Sequence, residues 1–138
     1  MVAFDSRFTF RAGRSINAFI QGVAMKILLV VRHPVGGIRT YIRYVYSEPV
    51  MADVQVAVIA PALEKEDVTG DQLQSGNLVC LHTGSSLMAI GWSVLRNSLG
   101  QRPDIIHSHG FTSAFLVNPV AKLLRIPHIV TLHDVFLP

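Results

Sequence analysis

A doubly wound, parallel α/β sheet of the Rossmann type, with strand order 3-2-1-4-5, is the fold this sequence predicts for residues 25–138. Three observations lead there. Short runs of Val, Ile and Leu recur along the chain, too unbroken for strands with one wet face. Segments with helical spacing of apolar residues alternate with them, and Gly, Pro and Ser punctuate the joins. Such strand–helix alternation builds a parallel sheet closed by right-handed crossovers and covered on both faces. A chain of 138 residues, 50% apolar, can bury one core and hardly two.

The elements follow in order. Met25-Lys26 opens a steep apolar strand, as a native N-terminus often does, so residues 1–24 read as a weakly ordered extension. Ile16, Phe19, Ile20 and Val23 recur at i, i+3, i+4 and i+7, which makes an amphipathic helix the alternative there. With Arg7, Arg11 and Arg14 that helix would suit an anionic membrane or a targeting peptide. Ile27 to Val31 is the first strand, broken by Pro34 and Gly36-Gly37. Ile38, Tyr41, Ile42 and Val45 then share one helical face, ahead of Pro49. Val54 to Ile59 is the second strand, ended by Pro61, and the polar stretch Glu64 to Asn77 is a loop. Leu78 to Leu81 is the third strand; Ser85 or Ser86 caps a helix carrying Leu87, Ile90, Val94 and Leu95, which Gly100 ends. Asp104 to His107 is the fourth strand, followed by a helical segment to Leu124 interrupted by Pro119, and His128 to Leu132 is the fifth.

Charge and cysteine content narrow the function classes. Twelve Lys and Arg stand against nine Asp and Glu, but the front of the chain holds much of the excess, and from Met25 onward 9 basic residues face 8 acidic ones. That balance gives no nucleic-acid signature. The single cysteine, Cys80, lies in an apolar run, which excludes a disulfide framework and fits a reducing compartment. No apolar stretch approaches the roughly 18 residues of a spanning helix. The first strand is not followed by Gly-x-Gly-x-x-Gly, the second ends without an acid for a ribose, and no Gly-Lys-Ser/Thr occurs. A dinucleotide-dependent dehydrogenase and a P-loop enzyme are thereby set aside.

Sheets of this type bind ligands at the carboxyl ends of their strands, where the strand order reverses, here between the first and fourth strands. The first strand delivers Gly36-Gly37 to that edge, and the helix after it aims free N–H groups there, an arrangement suited to a phosphate or a sugar hydroxyl. Arg39 and Thr40 follow directly. The fourth strand ends His107-Ser108-His109-Gly110 and the fifth Leu132-His133-Asp134, so that with His33 four of the six histidines collect at predicted neighbouring ends. Period-two alternation places His107 and His109 on one side. His82 and His128 fall outside the cluster, one after the third strand and one at the opposite edge. A polar acceptor pocket and a zinc site with Asp134 as its carboxylate are the two chemistries open to such a group.

Three segments carry a resemblance. Met25-Lys26-Ile27-Leu28-Leu29-Val30 with Gly36-Gly37, then Pro103-Asp104-Ile105-Ile106-His107-Ser108-His109-Gly110, then Arg125-Ile126-Pro127-His128-Ile129-Val130-Thr131-Leu132-His133-Asp134 resemble, in order, the retaining glycosyltransferases of the GT-B fold, family 4. The resemblance covers residues 25–138. It implies one incomplete domain, the acceptor-side half, of an enzyme that moves a sugar from a nucleotide-diphosphate donor to a hydroxyl acceptor in glycan or glycolipid synthesis. It implies no cofactor and no metal, the nucleotide sugar being a substrate. It further implies that Gly36 and Gly37 line the cleft near the donor phosphates, that His133 contacts the reacting groups, and that His109, Arg39 and Asp134 belong to the substrate pocket. The C-terminal donor-binding half with its Glu-x7-Glu motif lies outside the sequence, so the chain alone is expected to be inactive. Arg125 stands where the family often has Gly. The expected location is cytoplasmic, with peripheral contact at the inner face of the membrane. Two other readings stand beside this one: a non-catalytic module binding a sugar or partner, and a small metal-dependent hydrolase built on His33, His109, His133 and Asp134.

Overall fold

A computed structural model describes residues 25–34, 37–46, 53–61 and 77–133. The extension 1–24, most of the polar loop, Gly36 and Asp134 lie outside the described residues. The elements are β1 (Met25–Val31), α1 (Gly37–Tyr46), β2 (Val54–Pro61), β3 (Leu78–Thr83), α2 (Leu87–Gln101), β4 (Ile105–His109), α3 (Phe111–Leu124) and β5 (His128–Thr131). All five strands pair in parallel in the order β3-β2-β1-β4-β5.

Two apolar layers hold the sheet, one per face, as the unbroken strands require. Ile27, Leu29 and Val31 of β1 pack with Val56 and Val58 of β2 beneath Ile42 and Tyr46 of α1. The alternate residues Leu28, Val30, Ala57, Ile59 and Ile106 pack on the other face against Ile90 and Val94 of α2 and Val117 and Ala121 of α3. Leu29, Val30 and Val31 are fully buried, and from Ile27 to Val31 each side chain of central β1 serves one layer or the other.

Backbone pairings at the amino edge lock the register. The Lys26 N–H donates to Asp104 Oδ2 at 2.7 Å, and the Asp104 N–H donates to the Lys26 carbonyl at 2.9 Å. This reciprocal pair seats β4 beside β1. The Ile106 N–H reaches the Pro127 carbonyl and ties β5 on in turn.

The joins refine the sequence reading. Ser86, not Ser85, is the N-cap of α2, its hydroxyl accepting from the Ala89 N–H at 3.1 Å. Gly100 does not end that helix; the chain turns at Arg102, whose φ of 46° lies in the left-handed region. Pro119 sits inside a continuous α3 rather than interrupting it. It offers no N–H to the Phe115 carbonyl four residues back, and its ring crowds that carbonyl, a cost the helix bears without ending. β4 starts one residue later than expected and runs through His109, because ladder pairing of Ser108 with Val30 and of His109 with Val31 extends it. β5 ends at Thr131 instead of Leu132. Gly110, at φ 83°, makes the turn into α3, a conformation that favours glycine.

Candidate functional site

β1, β4 and β5 end side by side at the carboxyl edge, with the reversal of order between β1 and β4. The pleat of β4 sends Ile106 into the α2–α3 layer and turns His107 and His109 toward α1. Beside them β5 presents Thr131 and then His133 on the same side. Three imidazoles therefore form a stack. His107 and His109 have ring centroids 4.4 Å apart at 30°, and His109 and His133 lie 5.1 Å apart at 13°. Tyr41 closes the stack from α1, with its ring edge-on at 5.4 Å to both His109 and His133.

Hydrogen bonds fix each ring. His107 lies between the Tyr46 hydroxyl at Nδ1 and Thr131 Oγ1, 2.8 Å from Nε2. His109 Nδ1 and His133 Nε2 share one hydrogen bond of 2.8 Å. One consistent proton arrangement has Tyr46 donating to His107 Nδ1, which leaves the His107 proton on Nε2 to meet Thr131. His109 Nε2 is buried with no partner among the described residues. Such an atom is uncommon in a native core and marks either strain or a place for another group.

Burial governs the protonation of this cluster. His109 is 2% exposed, and burial, then the neighbouring His107 and His133, push its pKa down to about 4. His107 is lowered by burial first, then by His128 and His133. Tyr46 is pushed up to about 12 by burial, then by Tyr41, so its hydroxyl keeps its proton at neutrality. At pH 7 His109 is a neutral ring clamped between two others.

The remaining sequence candidates are distributed as follows. Gly37 is the first residue of α1 and is exposed; a Cβ built there would meet nothing within 4 Å, so no packing constraint demands glycine. Gly36 and Asp134 lie outside the described residues. Arg39, in the first turn of α1, has Nε and Nη2 buried without a hydrogen-bond partner among the described residues. His33 is exposed. His128 bonds Ser108 Oγ at 2.7 Å, and Ser108 alternates with His107 and His109 along β4, which puts that pair on the opposite face of the sheet. Among the described residues no three His, Cys, Asp or Glu side chains are placed to hold a metal ion.

Sequence reasoning left out Tyr41, Tyr46 and Thr131 as parts of the site, and counted His107 in the histidine cluster without giving it a role. A signal existed for the tyrosines: a phenol on the buried face of an amphipathic helix must find a polar partner in the core. For His107 the period-two pattern supplied the side but not the partner.

Comparison with known proteins places this geometry. A family model described as Glycosyltransferase Family 4 matches residues 35–138. No curated protein matches by sequence. Among solved structures, MurG of Acinetobacter baumannii is similar with a TM-score of 0.58 at 15% identity, over 83% of this chain and 36% of that one. Apo UGT2 of Phytolacca americana has a TM-score of 0.57 at 12% identity, over 81% of this chain and 30% of that one. At such identities the likeness is one of fold, and the chain spans about a third of the length of either structure.

Proposed function

We propose that this chain, which belongs to glycosyltransferase family 4, provides the acceptor-side domain of an enzyme that transfers a sugar from a nucleotide diphosphate to a hydroxyl group. The observation that carries the reading is the histidine stack at the point where the strand order reverses, since open α/β sheets bind ligands there.

In this reading His133 is the catalytic residue. Its Nε2 is held by His109 Nδ1, so its ring cannot swing, and its Nδ1 is left to meet a substrate hydroxyl or the charge that develops as the sugar departs. His109 orients it from within the sheet, and its low pKa keeps a second positive charge out of the stack. Tyr41 excludes water from the shared edge of the two rings. Gly37 leaves the mouth of α1 open and, with Gly36 before it in the sequence, is assigned to the donor phosphates; the Arg39 donors that lack a partner among the described residues are of the kind an anion satisfies. Asp134, next to His133 in the sequence, is assigned to substrate binding in the same reading. Donor binding falls to a second domain, and the reaction uses no metal or other cofactor. Cytoplasmic placement is part of the proposal; the free thiol of Cys80, half-buried, supports a reducing compartment.

The test is His133→Ala in an enzyme that carries this domain together with its donor-binding domain. Turnover is expected to fall roughly 10²-fold or more, the scale of a positioning or acid–base group, with the melting temperature nearly unchanged. A folded, fully active variant would remove His133 from the chemistry. The chain alone is expected to bind UDP-sugars more weakly than micromolar by calorimetry, and tighter binding would overturn the division of labour between domains.

A further inference from the structure

We propose that His109 sets the tautomer of His133, so that His133 meets the substrate with an N–H on Nδ1, as a hydrogen-bond donor to a substrate oxygen and not as a base. That use rests on the reading of His133 as the catalytic residue; the tautomer itself rests on the stack alone. A neutral imidazole holds one proton on two nitrogens, so one nitrogen donates and the other accepts. With one proton on each ring, the 2.8 Å bond between His109 Nδ1 and His133 Nε2 has two arrangements. In the first, His109 donates from Nδ1, its Nε2 is a bare lone pair, and the His133 proton lies on Nδ1. In the second, His133 donates from Nε2, its Nδ1 is bare, and the His109 proton lies on Nε2. Both hold the same protons and the same shared bond. They differ only at the two outer nitrogens.

His133 is partly exposed, and at its Nδ1 water or substrate satisfies either form. The choice falls to the other end of the pair. His109 is 2% exposed, and its Nε2 has no hydrogen-bond partner among the described residues. The nitrogens of its neighbours are engaged elsewhere: His107 holds Tyr46 and Thr131, and His133 Nε2 is already in the shared bond. Tyr41 meets His109 edge-on, and an aromatic edge is positive, which a lone pair tolerates and an N–H does not. A buried N–H without an acceptor is the rarer state in native proteins, and a buried acceptor without a partner is borne more often. Burial also holds His109 neutral, with a pKa of about 4, so no second proton fills both of its nitrogens. The first arrangement prevails, against the modest preference of a free histidine side chain for Nε2–H. A His133 protonated on Nδ1 has no lone pair there to take the acceptor's proton. It grips a substrate oxygen instead, more strongly as that oxygen gains charge.

The experiment is nitrogen NMR of the isotopically labelled full chain at neutral pH, in which correlation of ring nitrogens with ring C–H protons shows which nitrogen of each histidine holds the proton. His109→Phe and His133→Ala identify the two rings among the six histidines by the signals they remove. The expected result is a protonated Nδ1 in both His109 and His133. In His109→Phe, whose ring fills the space and donates nothing, His133 should return to Nε2–H. In an enzyme that carries this domain with its donor-binding domain, the same variant should lower kcat roughly 10²-fold or more with KM nearly unchanged, the mark of a wrong tautomer and not of lost binding. Nε2–H on His133 in the parent chain would overturn the proposal, and so would a His133 whose tautomer ignores His109→Phe. Full turnover in a His109→Phe enzyme whose His133 had switched would overturn the donor role. The parent spectrum needs no variant to fold and no substrate, so its outcome is separate from the turnover of His133→Ala, which tests the catalytic reading.

Discussion

Acidification should unfold this protein through His109, by an amount that can be worked out. Folded, the ring has a pKa of about 4, against 6.5 for a free imidazole. A group held neutral in the folded state binds protons more readily when unfolded, so stability is full above pH 6.5 and falls as the pH drops toward 4. Between pH 7.5 and pH 4.5 the shift removes about 2.5 kcal/mol, a large share of a small domain's stability. His107, whose pKa is also lowered, adds to the loss in the same window. Urea unfolding at the two pH values measures it, and with a slope of about 1–3 kcal/mol/M the midpoint should fall by roughly 1–2.5 M. Carboxylates contribute to any acid transition, so the comparison is with His109→Phe, which retains the ring and loses the titration. That variant should be less acid-sensitive by about 2 kcal/mol. An equal drop in both proteins would show that this buried ring does not govern acid stability, and with it the protonation logic of the stack would fail.

Two further predictions concern the turns. Arg125→Gly should raise stability by roughly 1 kcal/mol in denaturant melts, because φ 56° is a left-handed position that costs an L side chain about that much. Gly110→Ala should lower it by about 1–2 kcal/mol for the converse reason, although a Cβ there would touch nothing within 4 Å; chemical denaturation at neutral pH checks both.

The strand order and the edge that collects the histidines were legible because they follow from patterns that survive without contacts. Val, Ile and Leu runs name the strands, alternation with helices names the topology, and topology names the edge. Terminal residues were harder. Whether β4 stops at His107 or continues to His109 depends on pairing with Val30 and Val31, partners 78 positions away that no local window contains. Gly100 seemed a helix end by composition, yet Arg102 adopts the left-handed turn, because its N–H completes a bond to Ser98. Arg125 shows the reverse case. Its departure from the family's usual glycine was visible in the sequence, and only the backbone angle reveals what the glycine is for. In the site, the convergence of His109 and His133 was foreseeable from strand ends, whereas the clamp of Tyr41 across both rings depends on the tilt of α1 over the sheet.

The seam between β1 and β4 has a consequence for how the protein is made. Lys26 and Asp104, which close it, are 78 residues apart. Emerging from a ribosome at about 5–20 residues per second, β1 waits some 4–16 s before its second neighbour exists. In that interval β1, β2 and β3 can already form, while the flank of β1 meant for β4 stays bare. A bare flank of Ile27 to Val31 is a row of unpaired backbone groups with apolar side chains above and below, open to a neighbouring nascent chain. Aggregation during synthesis should therefore depend on translation speed between residues 61 and 105, a stretch in which slow codons would prolong the exposure and fast ones shorten it.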